Sequence, residues 1–100
     1  MLTGKQKRYL RALAVNEQAI FQIGKDGLSS NLYTSLNEAL KVRELVKVSI
    51  LKTCTVEINE IEIELCAHTG AELVQKIGKT LVLYKPSKER KIILPWISMK

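Results

Sequence analysis

The sequence predicts an α/β fold, a two-layer mixed sheet of four strands with three helices in the order α-β-α-β-α-β-β. Three observations predict it. Apolar residues recur at helical spacing in segments 2–14 and 28–40, and alternate with polar ones at 46–50. The dipeptide Gly78-Lys79 separates two β-rich runs, as a two-residue hairpin loop does. Helices lying between strands imply crossover connections, whereas the hairpin makes the last two strands antiparallel. One hundred residues suffice for one core, and with only five aromatics that core is built from Leu, Ile, Val and Ala.

Each element has its own signal. Thr3 and Gln6 form a capping box opening a helix that runs to about Ala14, with Leu2, Gln6, Tyr9, Leu10 and Leu13 on one face. Lys7 and Arg11 lie opposite, with Gly4 close by and Arg8 on the flank. Ala19 to Ile23 reads as a short strand. A second helix runs from Ser29 or Ser30 to Lys41, with Leu28 and Tyr33 placed as a hydrophobic staple around a Ser29 cap. Val46, Val48 and Ile50 alternate with Lys47 and Ser49, the mark of a half-buried strand. Segment 54–69 is ambiguous. Ile61, Ile63 and Leu65 alternate with glutamates, yet Cys54, Ile58, Ile61, Leu65 and His68 share one helical face. Helix is the preferred reading, with Thr55 as cap and Gly70 as terminator. Ala71–Ile77 and Thr80–Tyr84 are the hairpin strands, and 85–100 is a basic extension with little regular structure.

The net charge of +6 is unevenly spread. Residues 1–11 carry +4, residues 12–75 carry −4, and residues 76–100 carry +6. Positive ends favour a polyanionic partner, because phosphate contacts release counterions. The longest apolar run, Ile92 to Ile97, is far short of a membrane span, and no apolar stretch follows the basic N-terminus as a signal peptide requires. Cys54 and Cys66 read as reduced thiols of a cytoplasmic protein.

The chemistry concentrates in Gly24-Lys25-Asp26-Gly27, a Gly-x-x-Gly turn between a strand and a helix. Two glycines permit unusual backbone angles and close approach of a phosphate or sugar, the helix behind directs N–H groups at an anion, and Lys25 adds a charge. The same pattern also serves as nothing more than a tight connection, and Asp26 opposes phosphate unless its carboxylate turns onto local N–H groups.

Four segments resemble, in order, the CRM domain of YhbY-like bacterial proteins. They are Leu2 to Ala14, Gln22 to Leu28 with the Gly-x-x-Gly loop, Leu40 to Val48, and Thr69 to Tyr84. The resemblance covers 2–84 and implies a KH-like RNA-binding module over residues 1–84, similar in fold to the C-terminal domain of bacterial translation initiation factor three. In such loops nucleic-acid backbone is clamped. It also implies ribosomal RNA or precursors of the large ribosomal subunit as partner, with no membrane and no small-molecule substrate. Plant relatives are linked to splicing of organellar introns. The expected contact residues are Gly24, Lys25, Asp26 and Gly27, together with Gly4, Lys5, Lys7, Arg8 and Arg11 of the first helix and Lys79 of the hairpin.

Other chemistries find less support. Cys66-x-His68 with Cys54 lacks a second ligand pair, so no metal or other cofactor is expected. His68 alone assembles no nucleophilic triad, and Glu57, Glu60, Glu62 and Glu64 read as a solvated helix surface that would repel RNA. No catalytic residue is assigned, and the protein is expected not to be an enzyme. Tyr9 and Tyr33 are expected to pack inside. A second reading is a protein-interaction module docking on ribosomal particles through the apolar tail around Trp96. DNA is a third, without a recognisable groove-reading helix.

Overall fold

The computed structural model describes residues 2–25 and 27–86. Asp26 and the tail carrying Lys88, Arg90, Lys91, Trp96 and Lys100 lie outside the described residues. The elements run α1 (Gly4–Ala14), β1 (Ala19–Ile23), α2 (Ser30–Arg43), β2 (Leu45–Ile50), α3 (Ile58–Thr69), β3 (Glu72–Ile77) and β4 (Thr80–Tyr84). The sheet order is β1-β2-β4-β3, with β1 parallel to β2 and the other pairs antiparallel.

Local chemistry accounts for most boundaries. At the start of α1, the Gln6 N–H donates to Thr3 Oγ1 at 3.1 Å and the Thr3 N–H donates to Gln6 Oε1 at 3.0 Å. This reciprocal box satisfies two N–H groups near a helix end that has no i−4 carbonyls to offer. Ser29 caps α2 by accepting the Leu32 N–H at 3.2 Å. Gly70 ends α3 at φ 73°, its N–H on the Cys66 carbonyl, and Lys85 Nζ covers the Thr69 carbonyl at 2.7 Å. Gly78 takes φ 55° while Lys79 stays at negative φ, the pattern of a type II′ hairpin.

Expectation and structure part in a few places. α3 begins at Ile58 with Glu57 as N-cap, not at Thr55, so Cys54 lies in the preceding loop instead of on the helical face. Helix nonetheless wins over strand there, and Ile63, the one residue on the wrong side of the wheel, is 64% exposed. β3 starts one residue later than expected and carries a bulge at Val74, between Leu73 and Gln75.

The expected two layers become three. Leu81 and Leu83 of β4 pack with Ile23, Val46, Val48 and Ile50 under Leu36 and Leu40 of α2 and Ile61 and Leu65 of α3. Val82 and Tyr84 point the other way, joining Leu45 and Val74 under Leu10 and Ala14 of α1. β4 is thus buried on both faces, which explains its unbroken apolar run Leu81-Val82-Leu83-Tyr84. Among the described residues α1 alone covers one face and α2 with α3 the other.

Between α2 and β2 sits Glu44, fully buried and at φ 64°. Its N–H reaches the Leu40 carbonyl and its own carbonyl accepts the Lys85 N–H, each at 2.9 Å. This junction ties the end of α2 to the chain leaving β4.

Candidate nucleic-acid interface

The Gly24–Gly27 turn projects from the C-terminal end of β1. The Gly27 N–H closes it on the Gly24 carbonyl at 3.0 Å, and the Leu51 N–H holds the Ile23 carbonyl behind it at 2.8 Å. The two glycines serve different purposes. Gly27 has φ 65°, a conformation L side chains avoid. At Gly24 a Cβ would stand 3.0 Å from Thr53 Oγ1 and 3.2 Å from Leu51 Cδ1, so its need is space and not a backbone angle. Both missing Cβ atoms would point into the 51–56 loop, so the pair seats the turn on its neighbour. Lys25, between them, is exposed. Leu28 and Ser29 intervene before α2, so the helix end stands beside the turn without forming part of it.

This local role yields a measurable cost. Gly27→Ala is expected to lose about 1–2 kcal/mol of unfolding free energy in urea, because alanine must occupy the left-handed region. Gly27→Asn should lose less, since asparagine tolerates it. Equal losses for the two would contradict this assignment.

Lys79 at the β3–β4 hairpin lies at the same end of the sheet as Lys25, because the C-termini of β1, β2 and β3 all point there. The Ile50 N–H donates to the Lys79 carbonyl at 2.7 Å, fixing the hairpin beside the 51–57 loop. A crevice of about 310 Å³ opens between them, floored by Ile50, Val56 and Ile58 and flanked by Glu57 and Lys79.

α1 crosses the opposite end of the sheet, from β3, where the Leu2 N–H meets Glu72 Oε2 at 2.9 Å, to β2. Gln6, Leu10 and Ala14 are its buried stripe. Leu13 borders a hollow with Glu17, Arg43 and Leu45, beyond the far end of the sheet. The other flank, at about 100° per residue from Leu10, holds Lys7 and Arg11, which therefore face back toward the loop end of the sheet. Gly4 and Arg8 lie further round on that side, exposed with Lys5. The structure thus brings Gly24, Lys25, Gly27 and Lys79 to one end and the α1 cations to the other, with Lys7 and Arg11 turned between them.

Two further cations were not singled out by sequence reasoning. Lys47 lies in the middle of the same face, its Nζ on the Glu17 carbonyl at 3.1 Å, and exposed Lys52 belongs to the loop behind the glycine turn. A lysine alternating with valines inside a central strand was the available signal for the first.

The acidic residues of α3 sit elsewhere. α3 packs on the face opposite α1, where Glu62 pairs with Lys76 at 3.2 Å and Glu64 with His68 at 3.4 Å. His68 also stacks on Tyr33, ring centroids 4.0 Å apart, and burial with the nearby Glu64 charge pushes the Tyr33 hydroxyl pKa up. Tyr33 is half-buried, as expected in kind, whereas Tyr9 is 40% exposed on the Leu13 flank of α1, contrary to expectation. Burial, then Glu62 and Glu72, raise the Cys66 thiol pKa against a backbone hydrogen bond at Leu73 that lowers it. Cys66 is therefore a poor source of thiolate. Among the described residues no three His, Cys, Asp or Glu side chains converge as metal ligands, and no helix among them is long and apolar enough to cross a membrane.

Known proteins resemble this chain along most of its length. A Bacillus subtilis protein named probable RNA-binding protein YqeI is 50% identical over 93 residues, covering 93% of this chain and 97% of its own length. A Haemophilus influenzae RNA-binding protein is 39% identical, over 94% and 95% of the two chains. The solution structure of Staphylococcus aureus SAV1595 matches with a TM-score of 0.79 at 49% identity, covering 95% of this chain and all of that one. The sequence pattern of the CRS1 / YhbY (CRM) domain matches residues 2–85. On this match and these relatives, the chain belongs to the CRS1 / YhbY (CRM) domain family.

Proposed function

We propose that this protein binds RNA, specifically ribosomal RNA or precursor large ribosomal subunits during their assembly, and that it is not an enzyme. The observation that carries the reading is the charge placement on α1. The first turn of this helix contains no acidic residue and does contain Lys5, so cations stand at the positive end of the helix dipole. Helix stability gains nothing from that arrangement, whereas a phosphate partner does. Lys7 and Arg11 then face the end of the sheet that carries Lys25 and Lys79.

RNA backbone lies across the Gly24–Gly27 turn, with Lys25 on a phosphate, while Gly4, Lys5, Lys7, Arg8, Arg11 and Lys79 extend the surface. The names of the bacterial relatives support RNA as the ligand. The ribosomal assignment is what the resemblance to YhbY-like proteins implies. By contrast, the chain covers only 12% of the chloroplast CRS2-associated factor 1 of Arabidopsis thaliana, at 24% identity. A protein acting on precursor ribosomal subunits of this kind works in the cytoplasm.

The test is a salt titration of binding to fragments of large-subunit ribosomal RNA. Lys25→Ala should weaken binding across sequences and reduce the log–log salt slope by about one. An unchanged slope would remove Lys25 from the phosphate contacts.

A further inference from the structure

On the α1 side, residues of the four strands line up in rows set by the pairing register. Gln22, Ser49, Thr80 and Ile77 are successive partners across β1, β2, β4 and β3, and Ala19, Lys47, Val82 and Gln75 form the next row. α1 lies over Val82 and the Leu45–Tyr84 row beyond it. Among the described residues no helix lies over the first row. Ser49 and Thr80 belong to the two central strands yet are only half-buried, Gln22 is exposed, and Ile77 is 54% exposed. An inner strand is half-exposed only where its sheet face is open.

This open floor lies between two basic borders. Lys7 and Arg11 overhang it from α1, Lys25 and Lys79 stand at its other end, and Lys47 rises within it. The strands run five to six residues from end to end, so the borders stand within roughly 20 Å of each other. The floor itself is shallow and carries amides and hydroxyls, groups that both donate and accept hydrogen bonds. Among the described residues it offers no aromatic ring for a base to stack on. Phe21 turns into the opposite core, Tyr84 is buried beneath α1, and Tyr9 faces away.

We infer that this open half of the sheet is the principal RNA-contacting floor and that its ligand is double-stranded A-form RNA, held across the minor groove. The inference rests on the RNA-binding reading above and names its substrate class. The minor groove of an RNA duplex is wide and shallow and displays ribose 2′-hydroxyls, which amide and hydroxyl side chains read without unstacking any base. Single-stranded recognition needs stacking surfaces that this floor lacks. Gln22, Ser49, Thr80 and Gln75 meet the 2′-hydroxyls, the two borders take phosphates of opposite strands, and Ile77 packs on ribose at the margin.

Fluorescence anisotropy with three probes tests this: an RNA hairpin with a stem of one helical turn, one arm of that stem as a single strand, and the DNA hairpin of the same sequence. The RNA hairpin should bind at least about tenfold more tightly than either other probe. The isosteric pair Gln22→Glu with Gln75→Glu, whose fold is checked by thermal melting, should lose roughly tenfold in hairpin affinity by placing two carboxylates on the floor. Equal or tighter binding of the single strand, or of the DNA hairpin, overturns the duplex assignment. An unchanged double variant beside a weakened Lys25→Ala overturns the floor but leaves the proposed function standing. No binding to any RNA overturns both.

Discussion

Replacing Lys7, Arg8 and Arg11 together by alanine is expected to lower affinity for large-subunit ribosomal RNA fragments on the order of a hundredfold near 0.1 M salt, with the salt slope falling by about two to three. The magnitude follows from counterion release, each phosphate contact adding close to one unit of slope. The fold should tolerate the change. None of the three belongs to the buried stripe of α1, and alanine is the strongest helix former. Loss of Arg11 from the last turn removes a favourable dipole contact of about 0.5 kcal/mol, which the gain in propensity offsets. A melting temperature within a few degrees of wild type, together with lost RNA affinity, separates contact from folding. A slope that stays put would mean that this flank of α1 touches no phosphate.

The second large effect concerns folding. Glu44→Ala should cost about 3 kcal/mol, roughly 15 °C in melting temperature for a domain of this size. The side chain is fully buried, so its removal leaves a void and strands whatever polar groups its carboxylate serves. Alanine keeps φ 64°, the strain that glutamate already bears, so the backbone adds nothing to that loss. Glu44→Gly relieves the backbone and still lacks the carboxylate, so it should be less damaging than alanine by about 1 kcal/mol. A loss below about 1 kcal/mol for Glu44→Ala would show that the buried carboxylate holds nothing together.

Nothing in the sequence marks Glu44 as special, and that pattern is general for what went unread. Elements governed by neighbours in the chain were legible: the Thr3–Gln6 box, the Ser29 cap, the Gly70 stop and the Gly78-Lys79 turn all lie where the residues place them. Features set by distant packing were not. The third layer arises because Val82 and Tyr84 face away from Leu81 and Leu83, and a fully apolar strand conceals which of its sides meets which helix. Thr55 failed as a cap because the chain first wraps the 51–56 loop around the glycine turn before entering α3. The same contact explains Gly24, whose requirement for space depends on Thr53 and Leu51, far along the chain. Of the site, the basic residues were readable as charges, whereas the direction in which Lys7 and Arg11 point depends on how α1 crosses the sheet. Lys47 became visible only once the face above it proved open.

The strand order carries a consequence for how the molecule comes into being. β4, the last strand among the described residues, lies between β2 and β3, so until it arrives those two strands have no partner to share. A chain growing at the ribosome can form α1 and the β1-α2-β2 unit early. It cannot close the sheet until residue 84 has cleared the exit tunnel. During that interval the backbone edge of β2 that pairs with β4 faces open space, with the hazard of mispairing that an unpaired edge brings. Closure of the sheet is therefore timed by the emergence of β4, and a nascent chain arrested before β4 should be digested by protease as an open intermediate, while one arrested well beyond it resists.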